Sequence, residues 1–146
     1  MRKAKIEFQG KEIIVSTRHG RIDAPNWAKR YSYDDCRLDI KVECGGKSFI
    51  SYWLSDRDVT SRELLSCVKM LCINATYGKM EIEEFAEEKC YENEKSPLCI
   101  RYYRRCRKTF EDFQKLGIDP NELGDYLAIK YGVLWGPSNI YMDQVI

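Results

Sequence analysis

Four basic residues, Arg101, Arg104, Arg105 and Lys108, recur at spacings of three and four and so share one face of any helix that carries them. Residues 98–108 hold five Arg and Lys and no acid, a local charge of +5. Cations grouped in this way can neutralise several phosphates or receive the carboxylates of an acidic partner. Just upstream the sign reverses. Residues 79–95 carry seven glutamates against three lysines, a balance of −4, with Glu83, Glu84, Glu87 and Glu88 at helical spacing. The basic face is expected to meet an anionic partner, to pair with this acidic face, or to be solvated. The acidic face is itself a candidate surface, either for a protein or as an electrostatic mimic.

A second basic cluster lies near the start. Residues 1–31 contain eight Arg and Lys against three acids, again +5. Arg18, Arg21, Lys29 and Arg30 stand beside Trp27, Tyr31 and Tyr33 in a stretch from Arg18 to Asp34 that has no regular period and contains Gly20 and Pro25. That stretch is expected to be a long loop. Its rings could stack on bases or on a partner's side chains, or could fold back over a sheet edge.

For catalysis the residues offer little. His19 is the single histidine, sits in the basic stretch and has no nucleophile motif near it, so an exposed imidazole is expected. Asp56 and Asp58 in Ser-Asp-Arg-Asp have the look of a metal-binding pair, but they immediately precede a helix start, where aspartate also favours the positive end of the helix. Asp34 and Asp35 fall at a strand entrance. Seven cysteines include no pair at two-residue spacing, and several lie in phase with apolar neighbours, so reduced, buried thiols are expected. No phosphate-cradling glycine loop, nucleophile elbow or zinc-protease pair occurs. No catalytic residue, cofactor or metal site is expected.

The elements that position these residues follow from periodicity. Ala4, Ile6 and Phe8 alternate with charges, Gln9-Gly10 turns the chain, and Ile13 and Val15 resume the period, giving a hairpin over residues 3–17. Leu38, Ile40, Val42 and Cys44 alternate with Arg37, Asp39, Lys41 and Glu43. Gly45-Gly46 then supplies a tight turn into Ser48 to Leu54, with Ile50, Tyr52 and Leu54 on one face and Phe49, Ser51 and Trp53 on the other. Thr60-Ser61-Arg62-Glu63 reads as a capping box opening a helix to about Ala75 that is apolar on most sides. A second helix is expected from Met80 to Cys90. A third runs from Pro97 to Leu116 with Leu98, Tyr102, Cys106, Phe110 and Phe113 inward, stopped by Gly117. Asp119-Pro120-Asn121-Glu122 starts a fourth, ended by Gly132, and the apolar tail over 133–146 is expected to dock.

At 146 residues the chain is the size of one domain, with a net charge of +1 and 44% hydrophobic residues. Bulk charge demands neither a polyanion nor a membrane, and no apolar run is long enough to span a bilayer. The N-terminus alternates charged and apolar residues and lacks a signal peptide's apolar core, so a cytoplasmic protein is expected. The expected fold is a single α+β domain: an antiparallel sheet of about four strands in two hairpins over 1–54, three to four helices over 60–132, and the docked tail.

The layout from Cys36 to Leu116 resembles a family of small, uncharacterised proteins of phages, plasmids and integrated elements. That family runs from an aromatic strand pair into a helix, then a Phe-x-x-Phe helix, a short break and a long basic helix containing Tyr. Phe49-Ile50-Ser51-Tyr52-Trp53, the helix from Thr60, Met80-Glu81-Ile82-Glu83-Glu84-Phe85 and the helix with Tyr102 and Tyr103 fill those slots, with Ile82 where the first Phe is usual. The resemblance implies a mobile-element protein, a class in which small non-enzymatic chains bind and block host machinery, anti-CRISPR proteins among them. The expected function is binding to a host protein or ribonucleoprotein. The alternatives are a nucleic-acid-binding accessory protein using the basic helix and, third, a metal-dependent enzyme built on Asp56 and Asp58.

Overall fold

A computed structural model describes residues 2–21, 36–55, 57–89, 96–137 and 140–141. Four long strands, β1 (Arg2–Phe8), β2 (Lys11–Arg21), β3 (Cys36–Cys44) and β4 (Lys47–Ser55), form an antiparallel meander. Both tight hairpins turn where the sequence supplies positive φ. Gln9 and Gly10 stand at 51° and 72°, and Gly45 and Gly46 at 59° and 79°. Two successive left-handed residues match the right-handed twist of the strands they join. The register places Ile6 opposite Ile13, Val15 opposite Val42, and Leu38 opposite Trp53, so one face carries a continuous apolar surface.

Behind that face a 3-10 turn (Ser61–Glu63) leads into α1 (Leu64–Tyr77), followed by α2 (Ile82–Lys89), α3 (Pro97–Lys115) and α4 (Pro120–Tyr131). The capping box is present, with the Glu63 carboxylate accepting from the Thr60 N–H at 3.0 Å. The chain takes one tight turn before the α-helix proper, which therefore starts three residues later than expected and runs to Tyr77. No residue of α1 is exposed, because the helix lies between the sheet and α3 and α4. Its side chains join Trp53, Phe85 and Phe113 in one core, where each large apolar side chain contributes about 1.5–3 kcal/mol by burial. Where α1 ends it touches α3 backbone to backbone. A Cβ on Gly78 would collide with the Cys106 carbonyl and approach Arg107 Cα to 2.8 Å.

Several expectations need correction. β2 continues to Arg21, paired residue by residue with β3 as far as Cys36, so Arg18, His19 and Arg21 belong to a strand and not to a loop. The other loop candidates, Trp27, Lys29, Arg30, Tyr31 and Tyr33, lie outside the described residues, as do Asp34, Asp35, Asp56 and Cys90. In α3 the inward row is Cys99, Tyr102, Cys106, Thr109 and Phe113, while Leu98 is exposed. Steps of three and four alternate along that row and hold one face. A run of fours, as in 98, 102, 106 and 110, drifts around the helix. The tail does dock in part: a two-residue strand, β5 (Ile140–Tyr141), pairs with β4 at Leu54 and Ser55.

Candidate functional site

α3 is built to present two chemistries. Pro97 occupies its first turn, where a missing N–H is harmless. Gly117, at φ 71°, ends it with the Ile118 N–H donating to the Phe113 carbonyl at 3.1 Å. The inner row fixes the helix. Tyr102 donates to the buried Asn74 Oδ1 at 3.1 Å, and the Phe113 ring meets Phe49 edge-on at 5.0 Å. Phe85 of α2 packs on Tyr102 and Tyr103 at 5.3 and 5.4 Å, and Tyr103 donates to the Met80 carbonyl at 2.9 Å.

With that face buried, the cations distribute unequally. Arg101, Arg104, Arg107 and Lys108 are exposed. Lys108 is held by Asp112 one turn on at 2.8 Å, and Arg107 donates to the Tyr103 hydroxyl at 2.8 Å. Among the described residues Arg101 and Arg104 have neither ion pair nor hydrogen bond. Arg105 departs from the expected free face. It is half-buried, with its guanidinium carbon 4.8 Å from the Trp53 ring centre and 5.9 Å from that of Tyr52. Burial pulls the Arg105 guanidinium down to about 10 against the opposing influences of Cys106 and Tyr52, with nearby Arg37 adding the smallest contribution in the lowering direction.

Glu83, Glu84, Glu87 and Glu88 of α2 all face solvent. Among the described residues no ion pair joins them to the basic helix. Packing between α2 and α3 runs through Phe85 and the two tyrosines, which leaves both sets of charge outward. The sheet register adds a residue that the sequence order conceals. Arg18, Asp39 and Tyr52 are successive cross-strand partners on the sheet face away from the helices, at roughly 5 Å per strand. Arg37 lies over the same Tyr52 ring at 4.6 Å and is gripped by Asp39 through two contacts, at 2.7 and 3.3 Å. Cations from β2, β3 and α3 thus gather around the β4 end of the sheet. The side chain of Arg21 is outside the described residues.

The remaining candidates have structural duties. The His19 ring, half-buried, sits with Nε2 3.1 Å from the Ser55 carbonyl and ties β2 to the end of β4. Asp58 accepts from the Val59 N–H at 2.8 Å and stands 4.0 Å from Arg2. Among the described residues no three His, Cys, Asp or Glu side chains converge. Cys44, Cys67, Cys72, Cys99 and Cys106 are buried free thiols and Cys36 is half-buried, as expected for small apolar side chains. Burial pushes the Cys67 thiol up to about 12. A hollow of about 730 Å³ at the two hairpin turns is lined by Lys3, Lys11 and Lys47 with Glu12 and Glu43, a nearly balanced set.

One surface escaped the sequence reading. Ile129 of α4 is exposed at 87%, and Leu134 and Trp135, within the segment expected to dock, at 59% and 76%. Gly136 passes so close to Met70 that a Cβ there would lie 2.9 Å from the Met70 Cβ, and the chain just before it turns outward. Comparisons with protein-family models, curated proteins and solved structures returned no match. No described helix is long and apolar enough to cross a membrane.

Proposed function

We propose that this chain is a non-enzymatic interaction protein of a mobile element, acting in the cytoplasm, that binds and modulates a host protein or ribonucleoprotein through the basic face of α3. The observation that carries this reading is the state of Arg101 and Arg104, two adjacent exposed guanidinium groups with no partner among the described residues. Fixed, unpaired cations on a rigid helix speed encounter with an anionic surface and select against cationic ones. The exposed Ile129, Leu134 and Trp135 supply apolar area of the kind that protein contacts use. The resemblance of the Cys36 to Leu116 layout to small phage and plasmid proteins is what points to a mobile-element provenance.

A second reading, nucleic-acid binding, draws on Arg18 reaching the same end of the sheet as the α3 cations. Capture from host lysate, with and without nuclease and at low and high salt, separates the two. The leading reading expects a discrete protein or ribonucleoprotein that survives nuclease and is lost with Arg101→Glu/Arg104→Glu. Recovery of nucleic acid alone, abolished by the same variant and by salt, overturns it in favour of the second.

A further inference from the structure

Arg105 occupies a position that packing alone does not explain. Tyr52 and Trp53 are consecutive in β4 and point to opposite faces of the sheet, so a guanidinium near both rings straddles the strand's edge. β5 pairs with β4 only at Leu54 and Ser55, which leaves that stretch of edge without a strand neighbour among the described residues. The Nη2 atom of Arg105 is buried and makes no hydrogen bond among the described residues. A second guanidinium, Arg37, shares the Tyr52 ring. The Trp53 and Tyr52 rings offset part of the cost of burying this cation, but the unmade hydrogen bond and the second cation beside it add a penalty that a Met or Leu in the same space would not carry.

We propose that Arg105, backed by Tyr52 and Arg37, receives one carboxylate from an acidic segment of a protein partner, with Arg101 and Arg104 guiding its approach. The proposal rests on the reading of α3 as a docking face. Charge and geometry choose the ligand. Arg37 and Asp39 neutralise each other across their two contacts, which leaves Arg105 as the half-buried cation here without a carboxylate among the described residues, suited to one incoming carboxylate. Guanidinium presents a planar fork to a carboxylate, and the bond strengthens where water is partly excluded. The Tyr52 ring is already attended by two guanidinium groups, which disfavours it as a platform for a base.

The test is an NMR titration of the ¹⁵N-labelled full chain, following Arg Nε–H and Trp indole N–H signals, with a short polyglutamate peptide and separately with an oligothymidylate of matched charge. The peptide is expected to shift the Arg105 and Trp53 signals. Arg105→Met should bind it about tenfold more weakly while melting at the same or a higher temperature, and Arg105→Lys, lacking the fork, should stay weak. Four results overturn the proposal. If Arg105→Met and Arg105→Lys bind as the parent does while Arg101→Glu/Arg104→Glu loses the peptide, the docking face stands and the Arg105 site falls. If only the oligonucleotide moves the Arg105 signal, the ligand is a phosphate. If the peptide shifts nothing, the docking reading and the Arg105 site fail together. A lower melting temperature for Arg105→Met combined with parental affinity for Arg105→Lys marks Arg105 as a packing residue and also overturns the proposal.

Discussion

α1 and α3 face each other across the same core, yet one has no exposed residue and the other divides its circumference between core and solvent. In α1, Cys67, Met70, Leu71 and Ala75 all meet protein, and the half-buried Lys69 spends its ammonium on the Gly124 carbonyl at 3.0 Å. In α3, Phe113 and Cys106 are fully buried while Arg101 and Arg104 point into water. A helix surrounded on all sides can only report on stability. A helix at the margin can give up stability on one face for recognition, and Arg105, whose Nη2 finds no acceptor among the described residues, lies on the border between these two regimes.

The largest effect should come from the inner face of α3. Phe113→Ala removes the ring that meets Phe49 and is expected to destabilise by about 3–5 kcal/mol in urea unfolding. A loss near 1 kcal/mol would mean that α3 is not a core helix and would break the comparison. Gly78→Ala comes next at about 2–3 kcal/mol, because the added methyl meets α3 backbone and not a side chain that could move aside. Measured the same way, a near-neutral outcome would show that α1 and α3 are not in backbone contact there.

Third is the start of α1. Burial raises the Glu63 carboxyl, but hydrogen bonds from the Thr60 backbone and from Arg57, with the Arg57 charge, outweigh it and leave the group below its ordinary 4.5. A carboxylate with a lowered folded pKa stabilises above its unfolded pKa, and this contribution fades as pH falls through the lower folded value. Glu63→Gln should therefore cost about 1 kcal/mol or less at pH 7. The gap to the parent should close in thermal melts taken below pH 4.5. A gap independent of pH would assign the cap to hydrogen bonding without charge. The smallest effect belongs to the outer face of α3, where Arg101→Glu/Arg104→Glu should shift Tm by no more than about 2 °C while abolishing partner capture. A large drop in Tm would place those arginines in the fold and erase the contrast with α1.

Much of this arrangement is legible in local sequence. Gln9-Gly10 and Gly45-Gly46 announce the turns, the alternation from Leu38 to Cys44 gives both faces of β3, and Asp119 caps α4 through the Asn121 N–H at 2.9 Å. Such features depend on neighbours a few residues apart. The position of Arg105 depends on Tyr52 and Trp53, which sheet register and helix packing bring to it from far away in the chain. A helical wheel therefore groups it with Arg101 and cannot reveal its burial. Around Arg18 the period lapses and Gly20 and Pro25 follow, which is the local signature of a loop, whereas the β3 partner that extends the strand to Arg21 follows an interval of 14 residues. Leu134 and Trp135 are apolar by type, and nothing near them in sequence says that they turn outward.

The burial of the cysteines has a kinetic consequence. With its thiol held near 12, Cys67 is ionised in only about 10⁻⁵ of molecules at neutral pH, against a few per cent for an ordinary cysteine. Cys67, Cys72, Cys99 and Cys106 are all covered by packing, so reagent reaches them in molecules that have opened and the rate of labelling clocks that opening. The chain thus carries its own set of chemical stopwatches, two on α1 and two on α3, with which the breathing of each helix can be timed separately.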